Sequence, residues 1–178
     1  MTNVDGHNPS ATEREIGLDA SREDTAERFS RFCSTMRSTG LRRALAELAA
    51  PTNYRFIAIF RTAGDRANAA VFYDRENPGV LAVDEVPTSA TYCSFAHRSR
   101  SPFVTEDAAQ DPRLLAHVAR EHVRAYCGVP IMTPEGQVLG TLCHYDLVPR
   151  DHSQVDLALL CEIASALEQG HHVPPYPT

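Results

Sequence analysis

The chain has 178 residues, of which 43% are hydrophobic, and 17 Lys and Arg against 23 Asp and Glu give it a net charge of −6. This composition is ordinary for one globular domain, and it excludes wholesale disorder, a fibrous repeat and a large nucleic-acid or anionic-membrane surface. No apolar run could span a bilayer, and the N-terminus has no secretory signal, so we expect a cytoplasmic protein with reduced thiols.

The first predicted elements are two helices and a hairpin. Apolar residues recur at helical spacing over 29–36 and again over 41–48, with Gly40 between the two runs. Residues 54–61 and 69–73 are rich in β-branched and aromatic residues and flank a turn-forming sequence. We therefore expect two short helices followed by two antiparallel strands.

The middle of the chain predicts shorter elements. The patterns indicate a short helix over 88–99 and a short strand over 103–105. Asp111 and Pro112 are the residue types preferred at the N-cap and first position of a helix, which we expect to run to about residue 124. Helix capping explains these two residues without any catalytic role.

A second hairpin is the clearest unit in the sequence. Residues 126–132 and 137–145 predict strands, joined by a three-residue loop with Gly136 in the left-handed position. The register that follows from this loop places Cys127 directly opposite Cys143 on one face of the sheet. Opposed β-carbons lie about 4.5–5.5 Å apart, so the two thiols are expected to touch. A slip of one residue would abolish this contact.

The last predicted element is a helix with an apolar face. Ser153, followed three residues later by Asp156, resembles a capping box and predicts where the helix begins. Helices at both ends of a mainly antiparallel sheet define an α+β domain. We place this domain at residues 23–169, between flexible tails at 1–22 and 170–178.

Four sequence strings, taken together and in order, resemble one known family; they are TYCSFA (91–96), PFVTEDAAQDPR (102–113), YCGVPI (126–131) and GTLCHYDLVPR (140–150). The family is the GAF domain of bacterial signalling proteins such as histidine kinases and diguanylate cyclases. The resemblance covers about residues 25–168. Its most specific part is the hairpin GVPI…GQVLGTLC followed by a D-x-x-PR corner.

The resemblance implies a fold similar to PAS domains. A central antiparallel sheet carries the terminal helices on one face, and these helices often form a homodimer. A pocket on the other face, covered by short helices and loops, takes cyclic nucleotides, haem, bilins or small metabolites, or stays empty. Ala119-Arg120 stand where the bilin-binding cysteine would be, and the cyclic-nucleotide phosphodiesterase signature is absent. The cofactor therefore stays unknown.

One branch of the family reduces free methionine-R-sulfoxide with cysteine thiols. The string CSFAHRSRSPFVTED, which begins at Cys93, is similar to the segment around the resolving cysteine of that branch. Where the resemblance places the catalytic cysteine, this chain has His117 and His122 instead. Cys127 could replace that cysteine only if the pocket opened onto its strand. A thiol-dependent reductase of a small oxidised metabolite is thus the alternative function.

The residues expected around the ligand are Tyr92, Cys93, His117, Tyr126, Cys127 and Cys143. On the predicted register, Val129, Leu139 and Thr141 lie on the same pocket floor. His97, His117, His122 and His144 are the histidines that could ligate haem. Cys33 and Cys161 fit the apolar faces of the terminal helices and are assigned to packing.

No catalytic residue or metal site is assigned, and no cysteine spacing indicates zinc. We expect a stand-alone sensory domain that binds a small molecule or senses redox state, forms a homodimer through its terminal helices and acts through an unknown downstream signalling protein. Cys93 at the start of a short helix, together with a touching Cys127–Cys143 pair, would provide the redox response.

Overall fold

One antiparallel sheet organises the chain. The computed structural model describes residues 11–176, with side chains from residue 24 onward. The helices are α1 (Ala11–Thr39), α2 (Leu41–Ala49), α3 (Cys93–Ser99) and α4 (Leu157–Gln169). The strands are β1 (Phe56–Ala63), β2 (Arg66–Asp74), β3 (Val86–Pro87), β4 (Phe103–Thr105), β5 (Ala125–Met132) and β6 (Val138–Asp146). Their order across the sheet is β3-β2-β1-β6-β5-β4, and all neighbouring pairs are antiparallel.

Alternation along β1 divides the apolar core into two layers. Ile57 and Ile59 face the layer that contains α1, α2 and α4, whereas Phe56, Ala58 and Phe60 face the layer beneath α3. The five side chains are at most 8% exposed, so both faces of the strand are covered. This arrangement confirms the α+β fold, with the terminal helices on one face of the sheet and short helices and loops on the other.

The ends of the chain differ in how much of them is described. α1 begins at Ala11, inside the segment predicted as an N-terminal tail. Residues 1–10 and 177–178 lie outside the described residues, and flexible ends there stay a prediction. Among residues 11–176, no helix has the length and hydropathy needed to cross a membrane.

The single helix expected over 111–124 is wrong, although its cap is right. The Asp111 carboxylate accepts a hydrogen bond from the Arg113 amide at 2.9 Å, and Pro112 follows it as predicted. The chain then forms two 3₁₀ turns, Pro112–Leu114 and Val118–Glu121, in place of an α-helix. Leu114 and Ala119 are buried in the layer beneath α3, so tertiary burial outweighs the local preference for a continuous helix.

The start of the last helix is also corrected. α4 begins at Leu157, and its N-cap is Asp156, whose carboxylate accepts from the Leu159 amide at 3.0 Å. Ser153 instead lies in a separate 3₁₀ turn, where Asp151 accepts from the Ser153 amide at 2.8 Å. Two acidic caps therefore act one after the other, and the capping-box pattern identified the wrong residue.

The register of the second hairpin slips by one residue. Met132 pairs with Val138 as predicted, but the next pair is Ile131 with Gly140, so Leu139 is an extra residue on β6. A Cβ at Gly140 would lie 2.0 Å from the carbonyl oxygen of Phe60, so β6 approaches β1 too closely for a side chain there. This bulge decides which way every later side chain of β6 points.

The predicted Cys127–Cys143 contact is therefore wrong. Cys143 lies opposite Gly128, and Cys127 lies opposite His144. Because side chains alternate along a strand, the slip sends the two thiols to opposite faces of the sheet. Cys127 packs with the terminal helices, and Cys143 packs in the layer beneath α3.

Candidate functional site

A cavity of about 360 Å³ lies on the sheet face away from α1, α2 and α4. β1, β5 and β6 contribute Phe60, Tyr126 and Tyr145 from positions that face this layer. Tyr92 and Cys93 join the wall where α3 begins. This volume falls at the lower end of the range for small-molecule sites, about 300–1,000 Å³.

The remaining walls come from loops, β3 and short turns; these residues are Val83, Asp84, Val86, Ala90, Thr91, Ala119 and Val123. Among the described residues, no Lys, Arg or His side chain borders the cavity. Asp84, which is exposed, is the one charged group in this lining. The cavity is therefore aromatic, with a single negative charge at its rim.

The phenol groups of the wall are neutral. Burial raises the pKa of Tyr92 to about 12 and holds the pKa of Tyr145 still further above its ordinary value. The Tyr92 hydroxyl donates to the carbonyl of Val123 at 3.0 Å. The Tyr145 ring stacks on Phe56 with 4.7 Å between centroids, and its hydroxyl has no hydrogen-bond partner in the described part of the chain. That hydroxyl can therefore meet a polar group of a ligand.

Two thiols lie in the buried layer beneath α3, one of them at the cavity wall. Cys93 borders the cavity and is 1% exposed, and Cys143 is fully buried in the same layer. The Tyr126 hydroxyl donates to the Cys93 sulfur at 3.4 Å. Interaction with the Cys143 thiol, and then with hydroxyl groups, lowers the pKa of Cys93, whereas burial raises the pKa of Cys143. We call Cys93 and Cys143 the thiol pair.

Gly128 leaves the space in which this arrangement forms. A Cβ at position 128 would lie 2.4 Å from the Tyr126 phenol oxygen and 2.8 Å from the Cys143 Cβ. Tyr126 and Gly128 are two residues apart on β5, so their side-chain positions share one face. The phenol therefore lies over the glycine and reaches the thiol pair.

The structure brings four of the six predicted site residues together. Tyr92, Cys93 and Tyr126 border the cavity, and Cys143 packs with them in the same layer. His117 packs against the Tyr92 ring with 4.7 Å between centroids, but it does not line the cavity. Its Nδ1 accepts from the Ala119 amide at 3.2 Å, and burial lowers its pKa.

Cys127 does not belong to the site. It is fully buried among the residues that pack under the terminal helices, and burial raises its pKa to about 12. Val129 was also predicted on the pocket floor and also faces the helices, so that prediction is wrong for the same reason. Thr141, opposite Phe60, keeps the predicted side. The bulge at Leu139 separates the correct assignments from the incorrect ones.

Phe60 and Tyr145 border the cavity but were not predicted from the sequence. Alternation along β1 places Phe60 on the same face as Phe56, and Tyr145 lies two residues after Cys143, so strand periodicity could have found both. Asp84 lies in an irregular segment, where no periodicity predicts the direction of a side chain.

The histidines considered as haem ligands lie elsewhere. None of His97, His117, His122 and His144 borders the cavity. His144 is 1% exposed on the helix-covered face, with its ring 5.7 Å from that of Tyr54. A haem held by an axial histidine is therefore not favoured in this cavity.

The two cysteines assigned to packing behave differently. Cys33 is half-buried and packs against the core on α1, as expected. Cys161 is exposed on α4, so its assignment to the apolar face is wrong. The buried face of α4 is formed by Leu159, Leu160 and Ile163, and Cys161 points away from them.

The sheet order, the helix-covered face and the opposite cavity define an α+β domain with a cavity on one face of its sheet. The GAF domain family model matches residues 37–170, and the chain therefore belongs to the GAF domain family. A cyclic di-GMP phosphodiesterase of Pseudomonas aeruginosa is 34% identical over 84 residues, which are 45% of this chain. The chain covers 14% of that relative, so it corresponds to a small part of the larger protein.

Solved structures share the fold. A free methionine-R-sulfoxide reductase from Neisseria meningitidis, in complex with its substrate, has a TM-score of 0.64 at 19% identity, over 84% of this chain and 89% of that one. The GAF domain of an Acinetobacter phosphoenolpyruvate-protein phosphotransferase has a TM-score of 0.61 at 17% identity, over 84% of this chain and 96% of that one. Such similarity establishes the fold, while the activity depends on the site.

Proposed function

We propose that this chain is a sensory GAF domain whose cavity binds a small organic molecule with an apolar or aromatic body. The carrying observation is a cavity of about 360 Å³ walled by the rings of Phe60, Tyr92, Tyr126 and Tyr145. Aromatic rings provide a large apolar contact area at little cost in conformational entropy. A free phenol at Tyr145 adds one polar contact that can orient the ligand.

The charges around the cavity restrict the ligand further. With no basic side chain in the described lining, a phosphate or carboxylate would lose its hydration without gaining a countercharge. A cation gains from aromatic faces and from a nearby carboxylate such as that of Asp84. The ligand class is therefore a neutral or singly positive molecule, and cyclic dinucleotides are disfavoured.

Four probes test this class in ¹H–¹⁵N spectra of the full chain: indole, tryptamine, indole-3-acetate and cyclic di-GMP. The first three share one ring system and differ in charge. We expect indole and tryptamine to shift the resonances of cavity residues, with weaker shifts for indole-3-acetate and none for cyclic di-GMP. Absence of cavity shifts with both indole and tryptamine at millimolar concentration would overturn the proposal.

Matched variants locate the binding. Ala119→Phe fills the cavity, whereas Val118→Phe places the same ring on an adjacent residue that is 68% exposed and outside the lining. We expect only Ala119→Phe to remove the shifts. Asp84→Asn should reduce the preference for tryptamine over indole-3-acetate, whereas Glu162→Gln on the exposed side of α4 should leave it unchanged.

A thiol-dependent reductase is the second candidate, and Cys93 at the cavity wall supports it. In that reaction a sulfoxide would give up its oxygen as water while Cys93 and Cys143 became a disulfide. Cys127, on the other face, could not take part. We expect no turnover of methionine-R-sulfoxide with dithiothreitol. Turnover that Cys93→Ser abolishes and Cys127→Ser retains would make the reductase the function.

The proposal includes a homodimer through the terminal helices and a signalling partner downstream. It is supported by the position of α1 and α4 on the face opposite the cavity, with Cys161 of α4 exposed. Sedimentation velocity at two concentrations tests it. A monomer at both would contradict the dimer, and concentration-dependent protection of Cys161 from alkylation would support this interface.

A further inference from the structure

We propose that Cys93 and Cys143 form a reversible disulfide when a hydroperoxide enters the cavity, and that this bond lowers the affinity of the cavity for its ligand. The two residues lie on separate elements, the first turn of α3 and the middle of β6. Both side chains pack in the buried layer beneath α3. The Tyr126 hydroxyl donates to the Cys93 sulfur at 3.4 Å and lies over Gly128, the residue directly opposite Cys143. A bond between the sulfurs therefore joins residues that already pack together.

The cavity supplies access to only one of the two thiols. Cys93 borders the cavity, whereas Cys143 is fully buried and does not. A molecule as small as hydrogen peroxide can therefore reach Cys93 without unfolding the protein. Cys143 packs in the same buried layer as Cys93 and is the thiol placed to resolve it.

Neighbouring hydroxyls prepare Cys93 for this reaction. The Tyr126 hydroxyl donates to its sulfur at 3.4 Å. The Thr141 hydroxyl, which is buried and has no hydrogen-bond partner among the described residues, also lowers the pKa of Cys93. Donors to the sulfur favour the thiolate, which is the nucleophile in thiol chemistry.

Two balanced steps follow. The Cys93 sulfur attacks the peroxide, the O–O bond breaks, and Cys93 becomes a sulfenic acid while one water or alcohol leaves. The Cys143 sulfur then displaces the sulfenic oxygen, which leaves as water with the proton of the Cys143 thiol. Two thiols are oxidised and one hydroperoxide is reduced. A dithiol reductant reverses the change by thiol–disulfide exchange.

The effect on the ligand rests on the proposed function. Tyr126 donates to the Cys93 sulfur and also lines the cavity. A disulfide removes the thiolate that this hydroxyl stabilises and draws the start of α3 toward β6. We therefore expect the wall to tighten and the affinity for indole to fall at least about fivefold, the lower end of typical coupling between sites.

The disulfide is tested in the full chain carrying Cys33→Ser and Cys161→Ser, which leaves three cysteines. The sample is treated with hydrogen peroxide and mapped by mass spectrometry without reduction. Cys127 and Cys143 share one tryptic peptide, so a second digestion after Glu135 separates them. We expect a cross-link between the peptides of Cys93 and Cys143, reversed by dithiothreitol. Three free thiols after treatment, or a link to Cys127, would overturn the proposal.

Three further variants keep the test informative if one replacement fails to fold. With Cys143→Ala, the sulfenic acid on Cys93 should persist and be trapped by dimedone, while Cys127→Ala should leave the cross-link intact. Tyr126→Phe should slow the oxidation about threefold, because one of the donors that favour the Cys93 thiolate is lost. An unchanged rate in Tyr126→Phe would contradict the role of that hydroxyl.

Different experiments can contradict the regulatory effect and the disulfide independently of each other. Indole titrations of the oxidised and reduced protein measure the coupling, and equal affinities would overturn the regulatory half. If indole and tryptamine do not bind at all while the cross-link forms, the proposed function fails and the disulfide stands.

Discussion

Cys143 lies directly opposite Gly128 across the β5–β6 hairpin. This pairing places the Cys143 sulfur beneath α3 and leaves room over Gly128 for the Tyr126 phenol. The thiol that shares this layer with Cys143 is therefore Cys93, fifty positions earlier in the chain, and not its hairpin neighbour Cys127. The register of one hairpin thus decides which distant cysteine lies in the same layer as Cys143.

Replacing Gly128 with alanine should disturb the site and the fold together. The new Cβ would overlap the Tyr126 phenol and the Cys143 side chain, so we expect a loss of about 1–3 kcal/mol in the free energy of unfolding, as for overpacked cores. Urea denaturation measures the loss. Gly79→Ala is the control, because nothing lies within 4 Å of a Cβ there, and a similar loss in it would contradict this explanation.

Asp156 and Ser153 provide a test of which residue caps α4. Asp156→Ala removes the acceptor for the Leu159 amide and should cost about 1–2 kcal/mol of stability, the usual value of an N-cap. Ser153→Ala should change the free energy of unfolding by less than about 0.5 kcal/mol. Thermal denaturation of both variants measures these changes. A larger loss of stability in Ser153→Ala than in Asp156→Ala would show that Ser153 caps the helix after all.

His144 should make the protein less stable in mild acid. Burial lowers its pKa to about 3, whereas an unfolded histidine titrates near 6.5. Below about pH 6.5 the imidazole takes up a proton in the unfolded chain but stays neutral in the folded chain. The free energy of unfolding therefore falls by up to about 1.4 kcal/mol per pH unit as the pH decreases. The loss continues toward pH 3.

Urea denaturation between pH 7 and pH 4.5 measures this dependence. His144→Leu removes the titrating group, and we expect its stability to fall less over the same range. His171→Leu is a control near the C-terminus, where the side chain is exposed. Equal slopes in wild type and His144→Leu would show that the buried imidazole is not responsible.

The ion pair of Arg55 and Asp74 should stabilise the fold down to a lower pH, and its contribution is also lost in acid. Arg55 donates to both Asp74 oxygens, at 3.0 and 2.8 Å, and this holds the pKa of Asp74 well below its usual range. A carboxyl with a lowered pKa stabilises the fold fully above about pH 4, and the contribution is lost as the pH falls further.

Asp74→Asn should therefore cost about 2 kcal/mol at pH 7, the order of a charged hydrogen bond, and the difference from wild type should shrink toward pH 2. Glu76→Gln is the matched control, because Glu76 pairs with the same Arg55 but is 60% exposed. We expect its effect on urea denaturation to stay within about 0.5 kcal/mol. A cost for Asp74→Asn that does not vary with pH would point to packing.

Much of the fold could be predicted from local patterns. Periodicity located α2 and the β1–β2 hairpin, and turn chemistry located the loop before Gln137. The cap at Asp111 was also correct, because Asp and Pro act on their immediate neighbours. The α-helix predicted after that cap is wrong, because the burial of Leu114 and Ala119 depends on residues that are distant in the sequence.

One available signal was an isolated glycine within a strand pattern. Gly140 indicates a bulge or a close backbone approach, and both occur, since Leu139 is the extra residue and Phe60 lies against position 140. Loop geometry alone predicted an unbroken register. The close approach of Gly140 to Phe60 of β1 involves another part of the chain.

Residue types and periodicity by themselves determined that this is an α+β domain with helices at its ends, because apolar spacing and turn residues act over a few positions. The sequence also showed that the chain is acidic and contains five cysteines. Only the tertiary structure decided which thiols meet. Strand side chains alternate between faces, so one bulged residue on β6 separates the two hairpin cysteines: Cys127 lies in the helix-covered core, and Cys143 lies in the same layer as Cys93 beside the cavity.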